Sequence, residues 1–271
     1  MAASIDPSYL EWRLIRSGSM TGARNMACDT ALLNGVIDVL ERGERPTVTL
    51  RLYYWEPPAI SLGYHQSEND LDLERLRADG VSVVRRPTGG RAIYHARELT
   101  YAVAGPLALF PGEQSVLGAY KVISRAILTG LKLRLGIDAA LARGTPATEP
   151  TGKSPVACFA RPALCDAVSR GKKIVGSAQV RRRRAFLQHG SIPLVPREAE
   201  EREALLGAGA PSISTLGSLS EAAGREVAWA DAADALVAGF ERELGVRFRG
   251  SQLCAGEREV MDSLIANVLV L

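Results

Sequence analysis

The stretch VVRRPTGGRAIYHARELTYAV, Val83 to Val103, decides how this chain is read. It begins apolar and β-branched, passes two arginines and Pro87-Thr88-Gly89-Gly90-Arg91, and resumes as a second alternating run carrying His95. That pattern predicts two strands joined by a small cationic glycine turn. Gly89 and Gly90 have no Cβ, so a ligand can lie against their backbone and bond their N–H groups. Arg85, Arg86 and Arg91 surround them with fork-shaped donors suited to a carboxylate or phosphate. An ordinary hairpin turn with solvated arginines gives the same pattern.

Outward from this stretch, the elements alternate irregularly. Asn25 to Leu40 has apolar residues at helical spacing. Thr47 to Trp55 alternates with period two and stops at Pro57-Pro58. AISLGYHQ reads as a short strand entering a turn, and NDLDLERLRADG as a short helix ending at Gly80. The longest helical candidate, from Ser115, ends at Gly136. KKIVGSAQV and AFLQHGSIPLV read as a hairpin pair, and the pattern from Arg197 onward is mostly helical. Hairpins with interspersed helices imply an α+β domain around a mixed sheet.

At 271 residues, 46% hydrophobic and 23% charged, the chain fits a soluble globular protein. A net charge of +3 is too mild to imply nucleic acid by itself. No stretch approaches the roughly 20 apolar residues of a membrane span, and the N-terminus lacks an apolar core of signal-peptide length. Cys28, Cys158, Cys165 and Cys254 form no C-x-x-C pair and read as reduced thiols, which fits the cytoplasm.

Ala142 to Phe159 is rich in Pro, Gly, Thr and Ser and is expected to be a long loop. Cys158 lies at its end and Lys173 begins the strand after it. If the loop folds back, an ammonium beside a thiol would favour the nucleophilic thiolate; a free cysteine is otherwise a small buried hydrophobe. Cys28, in an apolar helix, and Cys254 default to packing. His65, His95 and His189 lack metal-ligand spacing and are expected at a pocket edge as hydrogen-bonding groups. Arg181 to Arg184 is expected at the tip between two strands, as a solvated turn or a docking point for an acidic protein.

Taken together, RRPTGGRAIYH…ELTYAV, CF, GKKIVGSAQ, LQHGSI and the earlier NMACDTALL resemble the lipoate ligase and octanoyltransferase superfamily. The resemblance runs from about Trp12 to the C-terminus and is nearest to the octanoyl-[carrier protein]:protein octanoyltransferases with a loop cysteine. It implies a single biotin/lipoate ligase-like catalytic domain over 1–271, mostly helical from about 197, with a mixed, largely antiparallel sheet flanked by helices. It implies Cys158 and Lys173 as the catalytic pair. Around them it implies a substrate site of Arg86, Thr88, Gly89, Gly90, Arg91, Tyr94, His95, Gly176, Ser177, Ala178, His189 and Gly190. The implied donor is octanoyl-acyl carrier protein, and the acceptor a lysine of a lipoyl domain or of the glycine-cleavage H protein. No cofactor, metal or membrane is implied. The alternatives are an ATP- and Mg-dependent lipoate–protein ligase, and a non-catalytic module that grips lipoyl domains or nucleic acid. Ala96 stands where an aspartate is common in the family.

Overall fold

The computed structural model describes residues 10–110, 116–142, 166–207 and 215–271. Eight strands form the main sheet, in the order β11-β1-β2-β6-β10-β9-β8-β7. They are β1 (Trp12–Met20), β2 (Val48–Trp55), β6 (Glu98–Pro106), β7 (Ala140–Leu141), β8 (Ala167–Ser169), β9 (Lys172–Arg182), β10 (Ala185–Pro193) and β11 (Phe248–Ser251). The pairs β11–β1 and β1–β2 are parallel. The other five pairings are antiparallel, so the sheet is mixed and largely antiparallel as expected.

Both faces of the sheet are covered, because its central strands are apolar on both sides. Leu50 and Leu52 face one cluster with Trp12, Tyr101, Phe186 and the helices α3 (Val116–Leu135) and α6 (Trp229–Leu244). Tyr53, Trp55, Ala102 and Leu187 face another with α1 (Gly22–Glu41) and α7 (Ala255–Val268). Thr21 caps α1, its hydroxyl accepting from the Arg24 N–H at 3.4 Å. The helix therefore starts three residues before the expected Asn25.

A smaller sheet has the order β4-β3-β5, made of β3 (Ala59–Leu62), β4 (Ser82–Arg85) and β5 (Ile93–His95). β4 pairs parallel with β3, and β5 antiparallel with its other edge. The hairpin expected across the glycine turn is therefore absent: β4 and β5 flank β3, and the loop between them crosses its end. The second alternating run is likewise broken, at Arg97 with φ 46°, so β5 and β6 lie in different sheets. This sheet packs over Leu76 of α2 (Leu73–Ala78) and Leu205 of α4 (Glu198–Leu206). A five-residue helix, α5 (Leu219–Ala223), precedes α6. The region after 197 is mostly helical, with β11 as the strand its charged sequence did not announce. No helix among the described residues is long and apolar enough to cross a membrane.

The α3–α6 contact brings the two backbones together. A Cβ on Gly239 would stand 2.1 Å from the Ala126 carbonyl oxygen, and one on Gly130 2.0 Å from that of Ala235. No rotamer change relieves a clash with backbone. Gly239→Ala should therefore lower unfolding stability by about 1–3 kcal/mol. Gly35→Ala, in the open interior of α1 with nothing nearer than 3.8 Å, should raise it by about 0.5–1 kcal/mol. Denaturant midpoints of the two variants check this; equal shifts would refute the backbone-contact argument.

Candidate active site

The loop from Arg86 to Arg91 is built by its own arginine. Arg86 is buried, and its guanidinium donates from Nε to Gly89 O, from Nη1 to Ser61 O and Oγ, and from Nη2 to Gly89 O and Arg91 O. These contacts engage all the N–H donors an arginine side chain has. Arg85 likewise donates to the carbonyls of Gly63 and Gln66, and pairs with Glu68 at 2.8 Å. These two arginines shape the loop. Gly90 has φ 94°, a conformation that favours glycine. A Cβ on Gly63 would stand 1.9 Å from the Gly90 carbonyl oxygen, so the chain segments touch backbone to backbone.

Beneath this loop lies a mostly apolar cavity lined by Met26, Tyr53, Trp55, Ser61, Arg86, Gly90, Ile93, His95, Thr100, Gly176, Ser177, Ala178, His189, Gly190 and Ser191. The loop and the strands β5, β9 and β10 thus bring together seven of the substrate-site residues expected from sequence beyond Arg86. Thr88 supports this wall, since its hydroxyl lies 2.7 Å from His189 Nε2. Gly89 and Arg91 contribute carbonyls that bind Arg86, and Tyr94 lies half-buried on β5, beside the cavity residue Ile93 and outside the lining. Gly190 must be small: a Cβ would meet Ser177 Oγ and Tyr101 Cε1 at 2.6 Å each.

Two buried carboxylates hold the cavity's histidines. His189 Nδ1 lies 2.8 Å from Asp29 Oδ2. Asp29 also pairs with Arg51 at 2.7 Å, and Tyr53 donates its hydroxyl to it at 2.8 Å. Burial opposes ionisation of Asp29, but Arg51, His189 and the Tyr53 hydroxyl hold its carboxyl below the usual range. An ionised Asp29 accepts from the His189 Nδ1–H, and Nε2 faces the Thr88 hydroxyl. His95 repeats the device: Nδ1 lies 2.7 Å from Glu98 and Nε2 2.8 Å from Ser61 Oγ, with the ring stacked on Trp55 at 3.8 Å. Burial pushes His95 down, so it is a neutral imidazole at neutral pH.

Glu98 in turn contacts Arg197, which also reaches Glu201 and the Ala96 carbonyl. Where the family aspartate would stand, Ala96 is buried, and the carboxylates of this corner are those of Glu98 and Glu201. Burial opposes ionisation of Glu98, yet His95 and Arg197 bring it down to about 2. Glu201 goes the other way: burial, with Glu98 nearby, outweighs Arg197 and raises it to about 7.

Lys173 is buried on β9 and pairs with Asp166 at 2.7 Å. Cys158 and Cys165 lie outside the described residues, so the geometry of the expected Cys158–Lys173 pair does too. Cys28 is buried and its thiol pushed up by burial to about 11, which makes it a packing residue as expected. Cys254 is exposed and caps α7, its sulfur accepting from the Glu257 N–H at 3.5 Å, so the packing expectation fails there. His65 is also misplaced by sequence: it is exposed against Tyr64, away from the cavity. The arginine run does close the β9–β10 hairpin, with Arg183 at φ 54° in an exposed ion pair to Glu41. Among the described residues no cluster could hold a metal ion.

Sequence reasoning passed over Asp29, Arg51, Glu98, Arg197 and Glu201. The available signal was a charge inside an apolar element: Asp29 within a buried helix, Arg51 between Leu50 and Leu52. Glu201 gives this corner a pH dependence. A buried acid whose folded pKa is raised favours the protonated state, so its cost is absent below about pH 4.5 and grows as pH rises to about 7. The full cost is about 3 kcal/mol. Glu201→Gln should flatten the fall in stability between pH 5 and 8, measured by chemical denaturation; an unchanged slope would show that Glu201 does not titrate there.

The model for the lipoyl protein ligase A/B catalytic domain matches residues 21–241. Octanoyltransferase LipM of Symbiobacterium thermophilum is 41% identical, over 94% of each chain. The LipM of Kyrpidia tusciae is 40% identical, over 95% of this chain and 96% of its own. Among solved structures, lipoate-protein ligase A bound with ATP superposes with a TM-score of 0.77 at 21% identity, over 95% of each chain. A putative lipoate protein ligase from T. acidophilum with bound lipoic acid gives 0.75 at 21% identity, also over 95% of each chain. With the family model covering 221 residues (21 to 241) and relatives similar over nearly the full length, this chain belongs to the lipoyl protein ligase A/B catalytic domain family.

Proposed function

We propose that this protein is an octanoyltransferase of protein lipoylation. It takes the octanoyl group from octanoyl-acyl carrier protein and transfers it to a lysine of a lipoyl domain or of the glycine-cleavage H protein. The observation that carries this reading is the apolar cavity walled by the strand that bears Lys173, in a chain 41% and 40% identical over nearly its whole length to two octanoyltransferases. Met26, Tyr53, Trp55 and Ile93 suit a saturated chain, whose burial is worth about 0.8 kcal/mol per CH₂.

In the proposed route the Cys158 thiolate attacks the donor thioester carbonyl. The carbon–sulfur bond to the carrier breaks, the carrier thiol leaves with a proton, and an octanoyl thioester remains on Cys158. The acceptor amine then attacks that carbonyl, loses a proton, and forms an amide as the Cys158 thiol is restored. The first step exchanges like for like and the second runs downhill, so no nucleotide is required. Lys173 stabilises the thiolate and handles the proton in both steps. The Ser177 carbonyl accepts from Tyr120, 3.2 Å away on α3, so this peptide edge faces away from β10. The Ser177 N–H on the same edge is the oxyanion donor in this reading. The neutral imidazole of His95 borders the reacting end without adding charge. Acyl carrier proteins are acidic, which fits docking at Arg181 to Arg184.

Mixing the protein with octanoyl-carrier protein in nucleotide-free buffer should add one octanoyl mass, labile to hydroxylamine, by intact mass. Cys158→Ala should abolish the adduct and Cys165→Ala should keep it. Adduct on Cys158→Ala would remove the assigned nucleophile, and transfer only with free lipoate and ATP would place the protein among the ligases. Replacing Arg181 to Arg184 with serine should raise KM for the carrier protein and flatten its salt dependence. A small octanoyl thioester should react as before; an equal loss with both donors would assign the run to folding instead.

A further inference from the structure

Lys173 is held by the fold before any substrate arrives. Its backbone is fixed by two hydrogen bonds to one segment: its N–H donates to Thr215 O at 2.7 Å, and its carbonyl accepts from the Gly217 N–H at 2.9 Å. On the β8 side the register slips, with Ala167 opposite Val175 but Val168 opposite Lys173. A bulge of this kind re-aims side chains. The tight turn at Arg170-Gly171 folds β8 back along β9, and Asp166, just before β8, meets the Lys173 ammonium at 2.7 Å. Both side chains are nearly inaccessible, at 2% for Lys173 and 1% for Asp166.

The Asp166 carboxylate has a second contact: Tyr120 places its hydroxyl 3.2 Å from Oδ1 and also 3.2 Å from the Ser177 carbonyl. Burial and the Asp166 charge push the Tyr120 phenol well above its usual value, so it remains a donor. Ser177 Oγ in turn lies 2.7 Å from Tyr101 OH, and Ser177 lines the cavity. Asp166 thus joins the ammonium to the cavity wall by one carboxylate and one phenol.

We propose that Asp166 is the positioning residue for Lys173, fixing both the place and the charge of its ammonium relative to the cavity wall. This rests on the reading of Lys173 as the lysine of acyl transfer. A buried ammonium without a counter-charge sheds its proton. The titratable groups around the pair are Glu201 from α4, Tyr120 from α3 and Tyr101 from β6. The two phenols stay neutral, and Glu201 is raised to about 7, so below neutrality Asp166 is the carboxylate in contact that keeps the lysine charged.

The test uses the full chain and two readouts. Heteronuclear NMR of Lys173 Cε, assigned by its loss in Lys173→Met and followed across pH, reports the charge of the buried side chain in place, whether or not the protein turns over. Transfer kinetics with a small octanoyl thioester report its role. Asp166→Asn should move the onset of Lys173 deprotonation down by about one pH unit or more. It should also lower kcat about tenfold or more with KM nearly unchanged. Tyr120→Phe keeps the charge and should leave the onset in place. Asp166→Glu should keep the wild-type onset, with kcat reduced because the carboxylate is longer by a methylene. It serves as the test should Asp166→Asn fail to fold: wild-type kcat in Asp166→Glu would then overturn the proposal. A folded Asp166→Asn protein whose Lys173 deprotonates with the wild-type onset would overturn it directly. If instead Lys173→Met transfers the octanoyl group normally, the transfer role of Lys173 fails, while the onset still decides whether Asp166 sets its charge.

Discussion

The ion pair between Arg51 and Asp29 is the constraint on which the rest of the molecule depends. Neither side chain has accessible surface. Arg51 rises from β2 at the middle of the main sheet, and Asp29 descends from α1 packed on it. Arg51 also donates to Asn25 Oδ1 at 2.7 Å and to Ser17 Oγ at 2.8 Å, and its guanidinium lies over the Tyr53 ring. Asp29 carries the chain of contacts onward, through His189 on β10 to Thr88 on the glycine loop. One buried charge pair therefore fixes a helix to a sheet and a histidine to a loop. Charges placed so deep gain little net stability over an apolar pair, while removal of one partner is costly. What this arrangement supplies is a defined position for His189 and a fixed partner for each of its ring nitrogens.

The second polar corner follows the same logic with the opposite balance. Arg197 stands between Glu98 and Glu201, and one cation cannot hold two buried carboxylates ionised at equal strength. Glu98 has further donors in Ser191, Thr100 and His95 and falls to about 2. Glu201 has a carboxylate oxygen with no hydrogen-bond partner among the described residues and rises to about 7. The difference in donors decides which carboxylate keeps its charge.

How much of this was legible in sequence depended on how local the cause was. Helical periodicity located α1, α3, α6 and α7, and the hairpin of β9 and β10 follows from two apolar runs around a charged tip. β1 and β11 escaped because WRLIRSGSM and FRGS carry charges and glycines. Their strand character comes from parallel partners far along the chain. The glycine loop stands out in the sequence and borders the cavity, but the runs that flank it do not pair as the expected hairpin. Two runs either side of a Gly-Gly pair look alike whether they pair with each other or with a third strand between them. The expected residues that line the cavity stand out in the sequence because they are glycines and polar groups in apolar surroundings. Asp29 and Arg51 stood in equally apolar surroundings, 22 positions apart, and only the fold shows that they meet.

The character of the cavity follows from these partnerships. Three basic side chains border it, Arg86, His95 and His189, and a count of residues would make it an anion site. Arg86 directs its donors to Ser61, Gly89 and Arg91. His189 gives its Nδ1 proton to Asp29, and burial keeps His95 neutral. What faces the interior is then the flank of Trp55, Tyr53, Met26 and Ile93, with imidazole and hydroxyl edges at one end. Such a surface accepts an apolar chain ending in a neutral carbonyl more readily than a free carboxylate, whose charge would find these donors already engaged. The arginines that drew attention in the sequence thus act on the loop, and the loop, held in place by them, gives the cavity a wall that carries little charge.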